Sequence, residues 1–267
     1  RREGIIMTEW SPKQYLLFAD QRTQPAADLA ARVAGRAGRA GGTGKTVRTA
    51  VDVGCGPGIS TAVLRHTFPE ARLLGVDLSP EMVERAARQY PEIAFRVGDA
   101  ASLTGQYDLI FSNACLQWVP QHETLIPGLM ERLTSGGVLA VQMPMNDDEP
   151  FYRIIREVIE DAKWGFHGVE LETNATCTPA EYFDLLSGCA SSFDMWECKY
   201  YHRLPDHRAL IEWVRGTRLR PYLARLDEAG RAALEDELLA RAAEAYPLTR
   251  SGEVLFGFRR FFFTATR

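Results

Sequence analysis

The chain lacks most features that would commit it to a special environment. No apolar run approaches the roughly 18–20 residues that a helix needs to cross a bilayer, and no secretory apolar segment opens it. Charge of neither sign dominates. The 31 Lys and Arg residues stand against 35 Asp and Glu, for a net charge of −4, so bulk electrostatics give no reason to expect nucleic acid. Cysteine is sparse and odd in number: Cys55, Cys115, Cys177, Cys189 and Cys198 include no C-x-x-C pair. That count argues against a disulfide framework and against structural zinc, so no metal is expected and a reducing cytoplasm is the expected compartment. No Ser-His-Asp or Cys-His arrangement stands out as a nucleophilic centre. Met7 is a candidate start, with residues 1–6 then upstream sequence.

What is present is concentrated in Val51-Asp52-Val53-Gly54-Cys55-Gly56-Pro57-Gly58. A short apolar run breaks into glycines at alternate positions, and a helical segment from Ile59 to Phe68 follows at once. That order reads as buried strand, tight turn and helix N-terminus, the arrangement with which open α/β sheets hold nucleotide-like ligands at their carboxyl edge. The spacing is G-x-G-x-G, because position 59 is Ile; a dinucleotide fingerprint would read G-x-G-x-x-G. The next apolar run ends in Asp77, nineteen residues after Gly58. A carboxylate there can accept both ribose hydroxyls of an adenosine and would repel a 2′-phosphate.

Along the chain, residues 12–34 read as a helix with Tyr15, Leu16, Phe18, Leu29 and Val33 on one stripe. Residues 35–46 are biased to Gly, Ala and Arg and read as a flexible linker. Their Gly44-Lys45-Thr46 ending is not a P-loop: Arg39 stands where that motif needs Gly, and the segment precedes a strand instead of following one. From residue 47 strands and helices alternate. Strands are expected at 48–53, 72–77, 93–97, 107–112 and 137–143, and helices at 59–68, 80–90 and 121–134. Ser79-Pro80-Glu81 has the form of a capped helix start. Later come a helix at 179–188, a strand at 193–204, helices at 206–216 and 226–245, and a β-prone aromatic run from Val254 to Phe263. The rhythm specifies an α/β fold, a doubly wound, mostly parallel seven-stranded sheet with right-handed crossovers and a helical cap between its last two strands. The expected organisation is an N-terminal helix and linker at 1–46, a ligand-binding core at 47–145, and completion of the sheet at 146–267. In that last part the late strands lie near 193–204 and 254–265 and the cap near 206–248.

Further polar residues fall at strand ends: Asp99 after the third strand, Asn113 after the fourth, and Gln142 ending the fifth. With these, residues 47–145 resemble the class I S-adenosylmethionine-dependent methyltransferases in the G-x-G-x-G loop, the acidic end of the second strand and the Asp after the third. A resemblance to the bacterial trans-aconitate methyltransferases runs along nearly the whole chain. It is carried by Trp10-Ser11-Pro12-Lys13-Gln14-Tyr15 with Phe18 and Arg22, by Leu116-Gln117-Trp118-Val119-Pro120, and by Val138 to Pro144. Trp196, Tyr200 and His202 extend it, with Ile211-Glu212-Trp213-Val214, Leu219-Arg220-Pro221 and Phe258-Arg259-Arg260-Phe261-Phe262. The chain departs from that pattern at Gln24, where a second Arg is common, and at Ile59, Met145 and Arg218. Gln24 and Arg218 bear on how substrate charge would be recognised.

The resemblance implies S-adenosylmethionine as cofactor and S-adenosylhomocysteine (SAH) as product. The implied cofactor set is Trp10, Tyr15, Asp52, Gly54, Gly56, Gly58, Asp77, Leu78, Met82, Asp99, Ala100, Asn113, Ala114 and Gln117, with Trp10 and Tyr15 as a flap. It implies a small tricarboxylate as substrate, with no nucleic-acid or membrane partner. A carboxylate is ionised at neutral pH and attacks without a base, so no catalytic residue is expected and alignment carries the reaction. Arg22 and Arg220 are candidates for binding the acid, since Arg suits bidentate carboxylate capture. Trp118, Gln142, Tyr200, His202 and Trp213 complete that set, with Trp196, Tyr200 and His202 on one face of a strand. His202 is the fallback base for a hydroxyl or amine substrate. Three alternatives stay open: another small carboxylic acid, an NAD-dependent oxidoreductase, and a cofactor-binding regulatory module without turnover.

Overall fold

The computed structural model describes residues 19–37, 45–166 and 175–267, the side chains of residues 19–22, 36 and 37 aside. Seven strands are present among them: β1 Thr49–Val53, β2 Arg72–Asp77, β3 Ala94–Val97, β4 Tyr107–Asn113, β5 Leu133–Pro144, β6 Ser192–Leu204 and β7 Val254–Thr266. They form one sheet in the order β3-β2-β1-β4-β5-β7-β6. β1 to β5 pair in parallel and β7 runs antiparallel to β5. Strand order reverses between β1 and β4, the switch point at which such sheets open a crevice for ligands.

The helices described are α1 Ala19–Ala37, α2 Ile59–Thr67, α3 Pro80–Gln89, α4 His122–Glu131, α5 Pro150–Ile159, α6 Pro179–Cys189, α7 Arg208–Arg215, α8 Arg220–Leu223 and α9 Glu228–Ala245. Capping explains several starts. Ser79 accepts from the Met82 N–H ahead of Pro80, and Thr178 and Glu181 form a reciprocal capping box at α6, each worth about 1 kcal/mol.

Three sequence expectations need correction. The helix expected over 121–134 stops at Glu131, because Leu133 already pairs with Tyr107 and β5 begins there, with a register shift before Leu109. α5 was not expected; Pro150 occupies its first turn, and Phe151, Tyr152, Ile155, Val158 and Ile159 bury one face. The segment 35–46 is not wholly linker: α1 runs to Ala37, and Lys45 is fixed against β4 and β5.

That last contact belongs to a clamp at the amino edge of the sheet. Lys45 pairs with Asp108 Oδ1 at 3.0 Å and donates to Thr134 Oγ1 at 2.5 Å. Thr134 donates to Asp108 Oδ1, and the N–H groups of Arg48 and Thr49 donate to Oδ2. Burial would raise the Asp108 pKa, but these donors outweigh it and hold the carboxyl well below its usual range.

The described chain divides into two compact units. The sheet unit takes in Arg22–Met145, Thr173–Tyr200 and Arg259–Arg267, and the helical unit Asn146–Glu172 and Tyr201–Phe258. In the sheet unit, Ala50, Leu109, Phe111, Ala140 and Phe262 pack against Ala26, Leu29, Ala30 and Val33 of α1 and Leu64 of α2. The other face sets Val51, Ile110, Leu139, Val141 and Phe263 against α4 and α6. Covered on both faces, β4 reads as a continuous apolar run, each large side chain contributing roughly 1.5–3 kcal/mol by burial. The helical unit has its own core of Phe151, Ile155, Trp213, Leu234, Leu238, Phe256 and Phe258. α5 packs there on α9, with Arg241 donating to Glu157 at 2.8 Å.

Candidate functional site

The carboxyl edge of the sheet unit gathers the glycine loop and the ends of β2 to β5. After Val53 the chain turns through Gly54 and Gly56 at φ +74 and +53, the left-handed region. Their reasons differ. A Cβ at Gly54 would stand 2.1 Å from Cys115 Sγ, whereas one at Gly56 would meet nothing within 4 Å. Gly54 is therefore needed for close packing on the loop after β4, and Gly56 faces open space. The N–H groups of Gly54 and Cys55 donate to Val76 O at 2.7 and 3.0 Å, binding the loop to the end of β2. Asp77 fixes it further, taking the Gly56 N–H on Oδ2 at 2.8 Å and the Ser79 N–H on Oδ1 at 2.9 Å. Each carboxylate oxygen keeps a further lone pair for a ligand hydroxyl.

Asp52 lies fully buried beneath the loop and holds the start of α2, accepting from Ser60 Oγ at 2.6 Å and Thr61 Oγ1 at 2.7 Å. This substitutes for a cap that Gly58 has no side chain to give. Burial raises its pKa to about 6 against the pull of the two hydroxyls. Asp99 caps the short turn Ala100–Ser102 through the Ala101 N–H. Between the two carboxylates, Leu78 is 54% exposed and Val97 47% exposed, while Met82 and Ala100 are buried. Two apolar side chains open to solvent beside paired acceptors offer cover for a flat aromatic ring.

At the end of β4, Ala114 adopts φ +54 without being glycine, a strain that the surroundings must hold. Its N–H donates to Gln142 O at 2.9 Å and its carbonyl accepts from Gln117 Nε2 at 2.8 Å. Asp52 Oδ1, Asn113 Oδ1 and Gln117 Oε1 are buried acceptors with no donor, and Gln142 Nε2 is a buried donor with no acceptor. Native interiors rarely leave such atoms unmet. S-adenosylmethionine carries an ammonium, an adenine amine and ribose hydroxyls, all donors, together with a flat ring. The unmet acceptors, the open space at Gly56 and the exposed apolar pair at 78 and 97 fit it. The thiols here are not nucleophiles: burial pushes Cys55 up strongly and Cys115 up to about 12.

The residues expected to bind the acid are more scattered. Trp10 and Tyr15 lie outside the described residues, and Arg22 lies on α1. Trp118 is half-buried in the turn Leu116–Trp118. Tyr200 donates to Asp28 Oδ2 on α1 at 2.6 Å, and burial with that bond raises its pKa. Trp196 stacks on Phe262 at 5.1 Å and lies beneath the Arg32 guanidinium. Trp196 and Tyr200 thus help to hold α1. His202, Trp213 and Arg220 belong to the helical unit; His202 stacks on Trp213 at 4.7 Å among Phe256 and Phe258, and Arg220 opens α8. Gln24 donates to Asp28, and Arg218 pairs with Asp147 at 3.4 Å.

Arg260 was not singled out from the sequence as a site residue. It is 4% exposed and donates to Gln142 Oε1 at 3.2 Å. The available signal was an Arg pair inside a strand of aromatics, where a period of two turns one guanidinium inward with Phe262.

Residues 50–137 match the family model described as a methyltransferase domain. The chain is 42% identical to the trans-aconitate 2-methyltransferase of Methylobacterium radiotolerans, over 98% of this chain and 99% of that one. It is 43% identical to that of Methylobacterium nodulans, over 98% and 99%, and 41% identical to that of Azoarcus sp., over 98% and 100%. Among solved structures, the YcgJ protein of Bacillus subtilis matches with TM-score 0.57 at 14% identity, over 84% of this chain and 93% of that one. The plantazolicin methyltransferase BpumL, solved with SAH, matches with TM-score 0.54 at 14% identity, over 96% and 90%. These two likenesses bear on the fold alone, the Rossmann-like methyltransferase sheet.

Proposed function

Because the chain belongs to the trans-aconitate 2-methyltransferase family, we propose that it methylates one carboxylate of trans-aconitate to the monomethyl ester. One observation carries the reading: the similarity spans 98% of the chain, not the 50–137 domain alone, so it takes in the segments that would hold the acid.

When bound, S-adenosylmethionine supplies an electrophilic sulfonium methyl and departs as the neutral thioether SAH. The chain's own residues bind and align. Asp77 and Asp99 take ribose and adenine donors, Leu78 and Val97 cover the ring, and Asn113 and Gln117 take donors of the amino-acid end. Asp52 and Met82 support these from beneath, and Trp10 and Tyr15 are the proposed flap. Arg22, Trp118, Gln142 and Tyr200 of the sheet unit are the proposed contacts of the acid, while His202, Trp213 and Arg220 of the helical unit stand as what the resemblance implies. A carboxylate is already ionised, so the chain has no proton to remove. Alignment of a carboxylate oxygen with a methyl carbon can recover about 7–11 kcal/mol of the barrier. A reducing cytoplasm is the proposed compartment, which the five free cysteines support.

The test is incubation with methyl-labelled S-adenosylmethionine and trans-aconitate, cis-aconitate, citrate or isocitrate, scoring base-labile methyl ester. Transfer to trans-aconitate in preference to the others is expected. SAH binding with label on none of these acids would refute the substrate while leaving the cofactor.

A further inference from the structure

The segment that carries Gln117 is bracketed by strain. Ala114 and Gln121 are the two described non-glycine residues with positive φ, at +54 and +62, and such residues persist only where their surroundings hold them. Inside that segment the Gln117 amide is already oriented. Its Nε2 donates to Ala114 O at 2.8 Å, which leaves Oε1 as a buried acceptor with no donor among the described residues. The turn itself is fixed through its carbonyls. The Ala175 N–H donates to Gln117 O at 2.8 Å, and Leu116 O accepts the Val119 N–H at 2.9 Å.

A second bond to Leu116 O comes from a side chain. His122, at the start of α4 and 1% exposed, places Nε2 at 2.9 Å from Leu116 O and Nδ1 at 2.6 Å from the Tyr182 hydroxyl. A carbonyl only accepts, so Nε2 carries the hydrogen, and in the neutral imidazole Nδ1 is then the acceptor for the Tyr182 O–H. Tyr182 is fully buried on α6 and stacks on Phe261 of β7 at 5.2 Å. The imidazole therefore bridges the core to the backbone carbonyl next to Gln117. With both ring nitrogens committed, it acts on a ligand only through the turn.

Resting on the reading in which Gln117 takes a donor of the cofactor's amino-acid end, we infer that His122 is a positioning residue for S-adenosylmethionine. It clamps the turn Leu116–Trp118 so that Gln117 Oε1 meets the ammonium. Its effect is confined to the amino-acid end of the ligand, because the residues that take the adenosine lie at the ends of β2 and β3.

The experiment is calorimetric titration of SAH, and separately of 5′-methylthioadenosine, into wild type, H122A, H122N, H122Q, Q117A and H122A/Q117A. The melting temperature of each is measured alongside. The second ligand keeps the adenosine and the thioether and lacks the amino-acid end. Loss of the buried anchor is expected to weaken SAH about tenfold in H122A, with 5′-methylthioadenosine held within about threefold of wild type. H122Q keeps an N–H near the Nε2 position and should bind SAH within about threefold of wild type. H122N, whose amide stops at the Nδ1 position, should weaken SAH as H122A does. Adding H122A to Q117A should cost less than about threefold more. Equal weakening of both ligands in H122A overturns the inference, since the residue then serves the scaffold at large. So does SAH bound at wild-type strength by H122N, which decides the matter where H122A does not fold. Q117A at wild-type strength for SAH refutes Gln117 as a contact and the inference with it. Loss in Q117A without loss in H122A refutes the inference alone. Wild type that binds neither ligand overturns the cofactor reading as well.

Discussion

The two edges of the same parallel strands treat polar groups in opposite ways. At the amino edge, Asp108 meets Lys45, Thr134 and the N–H groups of Arg48 and Thr49, and Thr49 Oγ1 accepts from the Asp108 N–H in return. At the carboxyl edge, Asp52, Asn113, Gln117 and Gln142 each leave a buried atom unmet, Ala114 sits in a strained conformation, and Leu78 and Val97 stay half in solvent. Closed networks stabilise a fold, whereas partners withheld in a preformed cavity are available to a ligand. The difference separates the residues that hold the sheet together from those that use it.

Substitutions can break that separation. The largest effect is expected from G54A, whose Cβ would collide with Cys115 at a positive φ. It should cost at least about 4 kcal/mol and leave little folded protein, as read by a chemical denaturation midpoint. D108A should follow at about 3 kcal/mol, since it strands Lys45 and two backbone donors. Asp108 has its pKa depressed, so the stability it contributes is present above the ordinary carboxylate pKa of 3.8 and is lost as pH falls below it. Wild type and D108A should therefore converge in stability toward acid.

Asp52 carries the opposite sign. Its pKa is raised from 3.8 to about 6, so between those values the native state holds a proton that the unfolded chain releases. Stability should fall with rising pH across that window, by roughly 3 kcal/mol from this group alone, and level off above it. D52N should flatten that stretch of the profile. Smallest in stability is N113A, which deletes an acceptor that has no donor. It should shift unfolding by less than about 1 kcal/mol yet weaken SAH about tenfold, because the lost partner belongs to the ligand.

Much of this was legible from local pattern. The glycine loop, the Asp77 that follows it and the strand rhythm are sequence-local, and each expected apolar run lies on or overlaps an observed strand. What escaped depends on contacts distant in sequence. Lys45 sits in a stretch of Gly, Ala and Arg, and only pairing with Asp108, across β1 and β4, gives it a role. The early start of β5 rests on Tyr107 meeting Leu133 across a register shift. The contacts of Tyr200 with Asp28 and of Trp196 with Arg32, both on α1, could not be read from the strand's own pattern. Arg260 was hidden in a run whose aromatics read as core, and its bond to Gln142 reaches a strand more than a hundred residues away in sequence.

The central claim is that one edge of the sheet stabilises and the other binds. It is tested most directly by measuring SAH affinity and melting temperature side by side in G56A and D108A. A methyl at Gly56 would enter open space, so G56A is predicted to lose SAH affinity by at least tenfold at about 1 kcal/mol in stability, the usual strain of a left-handed alanine. D108A is predicted to do the reverse, melting earlier while the folded fraction binds SAH as wild type does. Parallel loss of both quantities in both variants would contradict the account.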